Sequence, residues 1–280
     1  MLSPTHIKKN TGTRLFIQTV IGRAYPRIIG QQREKSWLFF DVFLPLLSVS
    51  AYVFVYKAIQ APQEYIGFVI LGGAMTAFWM NVLWSMSSQL YWEKEQGNLA
   101  LYIMAPNSLM AILLGMALGG LTSTILRAFA ITLLGSWLFH VEYTVASYWQ
   151  LFAVFFLAMI ALYGMGMMMS SLFLLLNREA WHLSNLAQEP VYLVSGFYFP
   201  IKNLNFWVAA GASLIPLTVG LDAMRQLAFA SGPSLGFLSV PVEIGLLVIL
   251  SVVFLVSARV LLRHMERLAI HEGRLTDSRN

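Results

Sequence analysis

Glu179 and His182 are the residues whose types and spacing come closest to a reactive site in this sequence. Three positions apart on a helix, they share one face, as in half of a carboxylate-bridged metal site. The complete site requires a second such pair on a facing helix, and no other Glu-x-x-His occurs in the sequence. Cysteine is absent as well, so the chain offers no thiolate ligand and no cysteine nucleophile. The sequence therefore predicts no metal site.

Three ionisable residues, Asp41, Arg127 and Glu189, interrupt long apolar stretches. A charge in hydrocarbon is costly, so such residues indicate function unless they pair with another charge or reach the membrane surface. For Asp41 and Glu189, pairing with a neighbouring Arg or Lys is the favoured interpretation, whereas Arg127 lies deeper and must have a partner. The functional alternative is an intramembrane lipid-modifying enzyme in which Asp41, Glu189 or His182 acts as acid or base.

Polar side chains form a stripe along each of two apolar segments. Their spacing of three or four residues places each set on one helix face. Such groups need partners or water within a membrane, so each stripe faces either a helix interface or a cavity. From the residues alone, interhelical hydrogen bonding and substrate contact are equally good explanations of each stripe. The stripes contain Asn81, Trp84, Ser85 and Ser88 in one segment, and Ser184, Gln188, Tyr192 and Ser195 in the other.

The composition is that of a membrane protein, since 58% of the 280 residues are apolar and only 11% are charged. A membrane-spanning helix needs about 20 apolar residues, so the chain predicts a single all-α membrane domain with six spans. Apolar and basic positions at 13–33 predict an amphipathic helix in the membrane interface. Ala111, Gly115 and Gly119 form a ladder of small residues that predicts close helix packing within the subunit. The predicted spans are 37–57, 67–91, 108–139, 148–176, 181–199 and 242–258.

The segment 200–240 is too apolar for an ordinary loop, but prolines and glycines interrupt it. Its apolar stretch at 205–217 is too short to cross a bilayer, which favours a re-entrant hairpin on the external side. Of the basic residues, seven precede Trp37 and five follow Ala258. Because Lys and Arg concentrate on the cytoplasmic side, both ends are predicted to be cytoplasmic and the number of spans even. The positive net charge thus reports topology rather than a nucleic-acid partner.

The segment 92–106, between the second and third spans, begins with Glu93 and Glu95 and continues as a compact helix that ends at Pro106. It is either a solvated turn or a lever that docks into a soluble partner. None of the six lysines follows a glycine, so the chain has no P-loop and is predicted to bind no nucleotide.

Two motifs resemble those of ABC-2 type transporter permeases. Glu-x-Glu-x-Gly at 93–97, followed by Ala105-Pro106, is similar to the coupling segment of that family. The second motif is similar to the family's late signature of Ser-Gly, an aromatic-Pro step, a further Pro and Asp-x-x-Arg. It comprises Ser195-Gly196-Phe197-Tyr198-Phe199-Pro200, Ile215-Pro216 and Gly220-Leu221-Asp222-Ala223-Met224-Arg225.

The resemblance implies a half-transporter with two membrane subunits, identical or related, and two separate ATP-binding subunits that carry ATP and Mg²⁺. The export path would lie at the interface of the membrane subunits, lined by the first, second and fifth spans. The coupling residues expected from this resemblance are Glu93, Glu95, Gly97, Leu101 and Tyr102. The expected path residues are the two polar stripes, and the expected hairpin residues are Phe199, Pro200, Pro216, Asp222 and Arg225.

Within this interpretation, the two glutamates engage basic residues of the partner and Tyr102 packs into a groove on it. Asp222 and Arg225, three residues apart, are expected to pair and to fix the hairpin. The apolar hairpin and thin polar stripes favour an amphiphilic or hydrophobic substrate, drug-like or lipid, moved out of the cytoplasm or inner leaflet. A glycan or lipid-linked glycan is the alternative. The expected location is the cell membrane.

Overall fold

The computed structural model describes residues 12–33, 35–105, 108–176, 179–230 and 236–272. Within these ranges the chain is helical, with an isolated bridge between Thr144 and Phe229. The α-helices are α1 (Thr13–Arg33), α2 (Lys35–Ala58), α3 (Glu64–Met80), α4 (Gln89–Glu95), α5 (Asn98–Met104), α6 (Leu109–Phe139), α7 (Tyr148–Leu176), α8 (Glu179–Val194), α9 (Phe206–Ala212), α10 (Pro216–Ala228) and α11 (Val240–Glu272). A π-helix, Asn81–Ser87, joins α3 to α4, and a 3-10 turn, Ile201–Asn203, precedes α9.

Five described helical segments are long and apolar enough to cross a membrane, and the bent pair α9 and α10 raises the number to six if it forms one span. The predicted all-α membrane class is therefore confirmed. The predicted fifth span differs: α8 has 16 residues and ends at Val194 rather than Phe199. The helix stops there because Gly196 adopts a left-handed conformation with φ of 72° and Pro200 prevents helical continuation. The five segments are Phe39–Ala58, Glu64–Glu95, Leu109–Phe139, Tyr148–Phe173 and Val240–Leu268.

Helix α1 packs along the first half of α6. A Cβ atom built on Gly115 would lie 2.5 Å from the carbonyl oxygen of Val20, and one on Gly119 would lie 3.0 Å from that of Ala24. Only glycine permits such close backbone approach, so the predicted small-residue ladder does serve packing within the subunit. The helix that packs on this ladder is α1, which the sequence analysis placed in the membrane interface, away from α6. An interfacial position for α1 stays a prediction.

The two ends of the bundle are distinct. At one end, the backbone N–H of Leu109 donates to Glu266 Oε1 over 3.0 Å, which brings the start of α6 next to α11. At the other end, the loop between α6 and α7 pairs with the end of α10, and the N–H of Thr144 donates to Ala228 O over 2.9 Å. We call these the α4–α5 end and the hairpin end. Helix α11 finishes at the α4–α5 end.

Helices α9 and α10 meet at 106°. The segment leaves α8 and returns to the α6–α7 loop at the same end of the bundle, which is the geometry expected of a re-entrant hairpin. Arg225 holds it in place by donating to the carbonyl oxygens of Gly196, Phe197 and Phe68. Asp222 accepts the N–H of Phe237 over 2.7 Å. The predicted pairing of Asp222 with Arg225 is thus replaced by separate bonds to the main chain, because buried carbonyls at the turn need donors.

Candidate functional site

One helical unit, Glu64–Glu95, connects the hairpin end directly to α4. Its central part, Asn81–Ser87, is π-helical. Single π turns are rare and occur frequently at functional sites, since they shift side chains relative to an α-helix. The Ser87 hydroxyl donates to Val82 O over 2.9 Å across this wider turn. The first polar stripe lies on or beside this segment.

Glu93 is the centre of a polar junction that joins α4, α5 and α1. Its Oε2 accepts from Asn98 Nδ2 over 3.0 Å and from the Tyr102 hydroxyl over 2.9 Å. Its Oε1 accepts from Gln89 Nε2 over 3.0 Å and lies 3.4 Å from Arg23 Nη2. Arg23 also donates to the Tyr102 hydroxyl. Charge-assisted bonds of this kind are stronger than neutral ones, so the junction fixes α5 against α1.

This junction changes the interpretation of the coupling residues. Glu93 is only 7% exposed, and its carboxylate is occupied within the chain, whereas the sequence placed it against a partner. Tyr102 likewise points inward to Glu93 instead of into an external groove. Gly97 has φ of 77° and forms the left-handed turn between the two short helices. Leu101 and Met104 remain exposed on the outer face of α5 and Glu95 at the end of α4.

Arg27, one helical turn beyond Arg23, links α1 to the second span. Its Nη1 donates to Gln89 Oε1 over 3.1 Å, and its Nη2 donates to the Ser85 hydroxyl. Burial lowers the pKa of the Arg27 guanidinium from its ordinary value. The group keeps its proton at neutral pH because an arginine titrates far above it. The four-residue spacing of Arg23 and Arg27 indicates that both lie on one face of α1 but does not identify their partners.

A cavity of about 570 Å³ is lined by α2, the second span, Arg127 of α6, and α8 with the turn after it. Helix α2, the second span and α8 correspond to the predicted first, second and fifth spans, which the resemblance assigned to the export path, whereas α6 is the predicted third span. The lining combines charged, hydroxyl, aromatic and aliphatic side chains. It consists of Phe40, Asp41, Leu44, Pro45, Ser48, Thr76, Ala77, Met80, Asn81, Trp84, Ser85, Arg127, Tyr192 and Tyr198.

Asp41 and Arg127 form an ion pair on the cavity wall. Arg127 Nη1 lies 2.5 Å from Asp41 Oδ2, and Nη2 donates to Thr124 Oγ1 over 3.5 Å. The partner that Arg127 requires is therefore Asp41, as the pairing interpretation of Asp41 anticipated. The sequence did not place this pair on the path, because the lining of a cavity depends on how helices far apart in the chain come together.

Four of the eight predicted path residues line the cavity: Asn81, Trp84, Ser85 and Tyr192. The other four lie behind the wall or hold it together. Gln188 accepts from Trp84 Nε1 over 2.8 Å and so joins α8 to the second span. Ser88 donates to the Trp84 carbonyl, and Ser184 and Ser195 are buried.

Aromatic side chains lie at the hairpin end of the cavity. The rings of Tyr52 and Tyr198 stack with their centroids 4.0 Å apart. The Tyr56 hydroxyl donates to Tyr198 O over 2.8 Å. Tyr198 belongs to the late motif, so that motif contributes a cavity wall as well as the hairpin entrance.

The remaining reactive candidates are not assembled into one site. His182 and Glu189 are exposed on α8, and Glu189 accepts from Gln188 over 3.1 Å. Neither residue lines the cavity that contains Asp41. Across the described ranges, no group of three or more His, Cys, Asp or Glu side chains is placed to hold a metal ion.

A bundle of apolar helices with a polar cavity and an exposed two-helix loop defines a multi-pass membrane subunit of a transporter. The sequence model of the ABC-2 type transporter family matches residues 18–229, from α1 to the end of α10. The chain belongs to the ABC-2 type transporter family and is an ABC transporter permease subunit. No curated protein matches it. Membership implies a partner subunit that carries the ATP-binding cassette.

Proposed function

We propose that the chain is the membrane subunit of an ATP-driven exporter for amphiphilic or hydrophobic compounds. The observation that carries this proposal is the continuity of Glu64–Glu95, which runs from the hairpin end through the cavity wall into α4. A displacement of α4 therefore moves Trp84 and Ser85, which line the cavity. In this proposal the chain itself catalyses no reaction, and ATP with Mg²⁺ binds to the partner.

The outer face of α4 and α5 supports docking of the ATP-binding subunit. Leu101 is 59% and Met104 63% exposed, and Glu95 adds a charge at the edge of this patch. An apolar pair with a polar rim is typical of a protein interface. The Glu93 junction then passes a displacement of α5 to α1 through Arg23, and α1 passes it to α6 by close packing.

In this proposal the stacked Tyr52 and Tyr198 close the path at the hairpin end, and the substrate enters from the opposite side. With the α4–α5 end in the cytoplasm, the substrate would enter from the cytoplasm or inner leaflet and leave past Tyr198. The mixed lining suits a molecule with a polar head and an apolar body. A second, identical or related permease subunit and two ATP-binding subunits would complete the assembly in the cell membrane.

Reconstitution with the ATP-binding subunit in proteoliposomes tests the proposal. ATP hydrolysis and ATP-dependent movement of amphiphiles, drug-like molecules and glycans are measured in the same vesicles. The double variant Leu101→Ala, Met104→Ala should weaken binding of the partner about 30- to 900-fold, because each of the two truncated contacts costs about 1–2 kcal/mol. The matched control Ile17→Ala, Ile21→Ala removes equally exposed apolar groups from α1 and should leave binding unchanged. Absence of ATP-dependent transport for every compound would refute the exporter, and transport of glycans alone would favour the alternative substrate.

A further inference from the structure

The Asp41–Arg127 pair contributes both ionised groups of the cavity lining. Asp41 is the third residue of the apolar segment Phe39–Ala58, and Arg127 lies well inside the segment Leu109–Phe139, so the pair is enclosed by apolar helices. Its side chain is 35% exposed and that of Arg127 is 16% exposed. A membrane-embedded ion pair that faces a cavity can exchange its internal contact for contacts with a ligand, whereas a fully buried pair cannot.

Most of the other polar groups of the lining form hydrogen bonds within the protein. The Ser48 hydroxyl donates to Leu44 O over 3.3 Å and the Thr76 hydroxyl to Gly73 O over 2.6 Å. Asn81 Oδ1 accepts from Tyr163 over 2.9 Å, and Ser85 accepts from Arg27. These bonds leave the ion pair as the main source of polar specificity in the cavity.

We propose that Asp41 and Arg127 select substrates with a zwitterionic head group. This inference rests on the proposed function and names the substrate class. A net cation or anion would oppose one member of the pair and leave an unbalanced charge in a medium of low dielectric constant. A zwitterionic head presents a cationic group to Asp41 and an anionic group to Arg127, so every charge is matched.

The rest of the lining fits the same molecule. Phe40 and Trp84 provide aromatic faces, which attract ammonium groups. Leu44, Pro45 and Met80 provide an aliphatic surface for a hydrocarbon chain. The substrate class is thus a single-chain or double-chain zwitterionic amphiphile.

Binding of four probes with the same twelve-carbon chain tests this inference. The probes carry phosphocholine, trimethylammonium, sulfate or maltoside heads and are measured with the full chain in nanodiscs. The unmodified protein should bind the zwitterion best. Arg127→Gln leaves a lone carboxylate and should shift preference toward the cation by about tenfold, and Asp41→Asn leaves a lone guanidinium and should shift it toward the anion by a similar factor.

A purely structural ion pair gives another pattern. Both single variants would then weaken binding of all four probes equally, and this result would overturn the inference. If the single variants do not fold, D41N/R127Q leaves no unpaired charge. In that variant the phosphocholine probe should lose its advantage over the maltoside, and a retained advantage would overturn the inference. Binding needs no partner subunit, so zwitterion selectivity without ATP-dependent transport would sink the exporter proposal and leave the head-group inference standing.

Discussion

Replacement of Glu93 by glutamine should separate ATP hydrolysis from transport. The carboxylate accepts bonds from Arg23 and Gln89 on one oxygen, and from Asn98 and Tyr102 on the other. Glutamine retains one of these oxygens, so two donors lose their acceptor. Each buried donor without a partner costs about 1–3 kcal/mol. Because Arg23 is partly exposed, we expect a total of about 3 kcal/mol, or roughly a 100-fold shift away from the docked arrangement of α5 on α1.

Two measurements report this shift away from the docked arrangement of α5 on α1. The chain has no cysteine, so spin labels at Ile17→Cys and Leu101→Cys report the α1 to α5 distance without background. Glu93→Gln should add a longer distance to the distribution. In proteoliposomes with the ATP-binding subunit, it should lower the amount transported per ATP hydrolysed by about tenfold or more.

The control is Glu142→Gln, which removes the same charge from an exposed position in the loop between α6 and α7, away from the docking patch. It should change neither the distance distribution nor the transport ratio. Equal behaviour of the two variants would show that the junction carries no coupling. A lower yield of Glu93→Gln with a normal transport ratio would assign Glu93 to folding alone.

Two further substitutions test the hairpin end. Gly72→Ala should abolish folded protein, because its Cβ would lie 1.6 Å from the carbonyl oxygen of Phe197. The control Gly211→Ala, which has open space around it, should express normally. Similar yields of monodisperse protein from the two variants would contradict the packing around Gly72. Tyr198→Ala removes the stack that closes the cavity, so a cysteine at Ser48 should react at least tenfold faster with a membrane-impermeant thiol reagent added from outside. An unchanged rate would show that another element closes the path.

The membrane segments could be predicted from sequence because apolar length alone nearly determines them. The late motif contains Gly196 and Pro200, which end α8 by local backbone geometry, although the predicted span continued to residue 199. The family itself was recognisable from the order of its motifs. Each of these features depends on residues close together in the chain.

Features that depend on contacts between residues far apart in the chain were harder to predict from the sequence. Arg23 and Arg27 could be assigned to an amphipathic helix, but periodicity does not reveal that they face Glu93 and Ser85. The energetic cost of a charge in the membrane predicted that Arg127 has a partner. It did not identify Asp41 as that partner, because the two residues are 86 positions apart in the chain. The inward position of Glu93 was missed because a charged loop residue resembles a docking residue until its neighbours are known.

The π-helix at Asn81–Ser87 also suggests how a displacement of α4, at one end of the second span, could change the lining of the cavity. A π turn contains one more residue than an α turn, and each residue of an α-helix accounts for about 100° of rotation. Conversion of one such turn to α-helix would rotate α4 relative to α3 about their common axis by roughly that angle. Trp84 and Ser85 lie within the segment that would rewind, so a small axial displacement could turn polar groups toward or away from the substrate. Deletion of a single residue there, which locks the α-helical register, should leave ATP binding intact and stop transport.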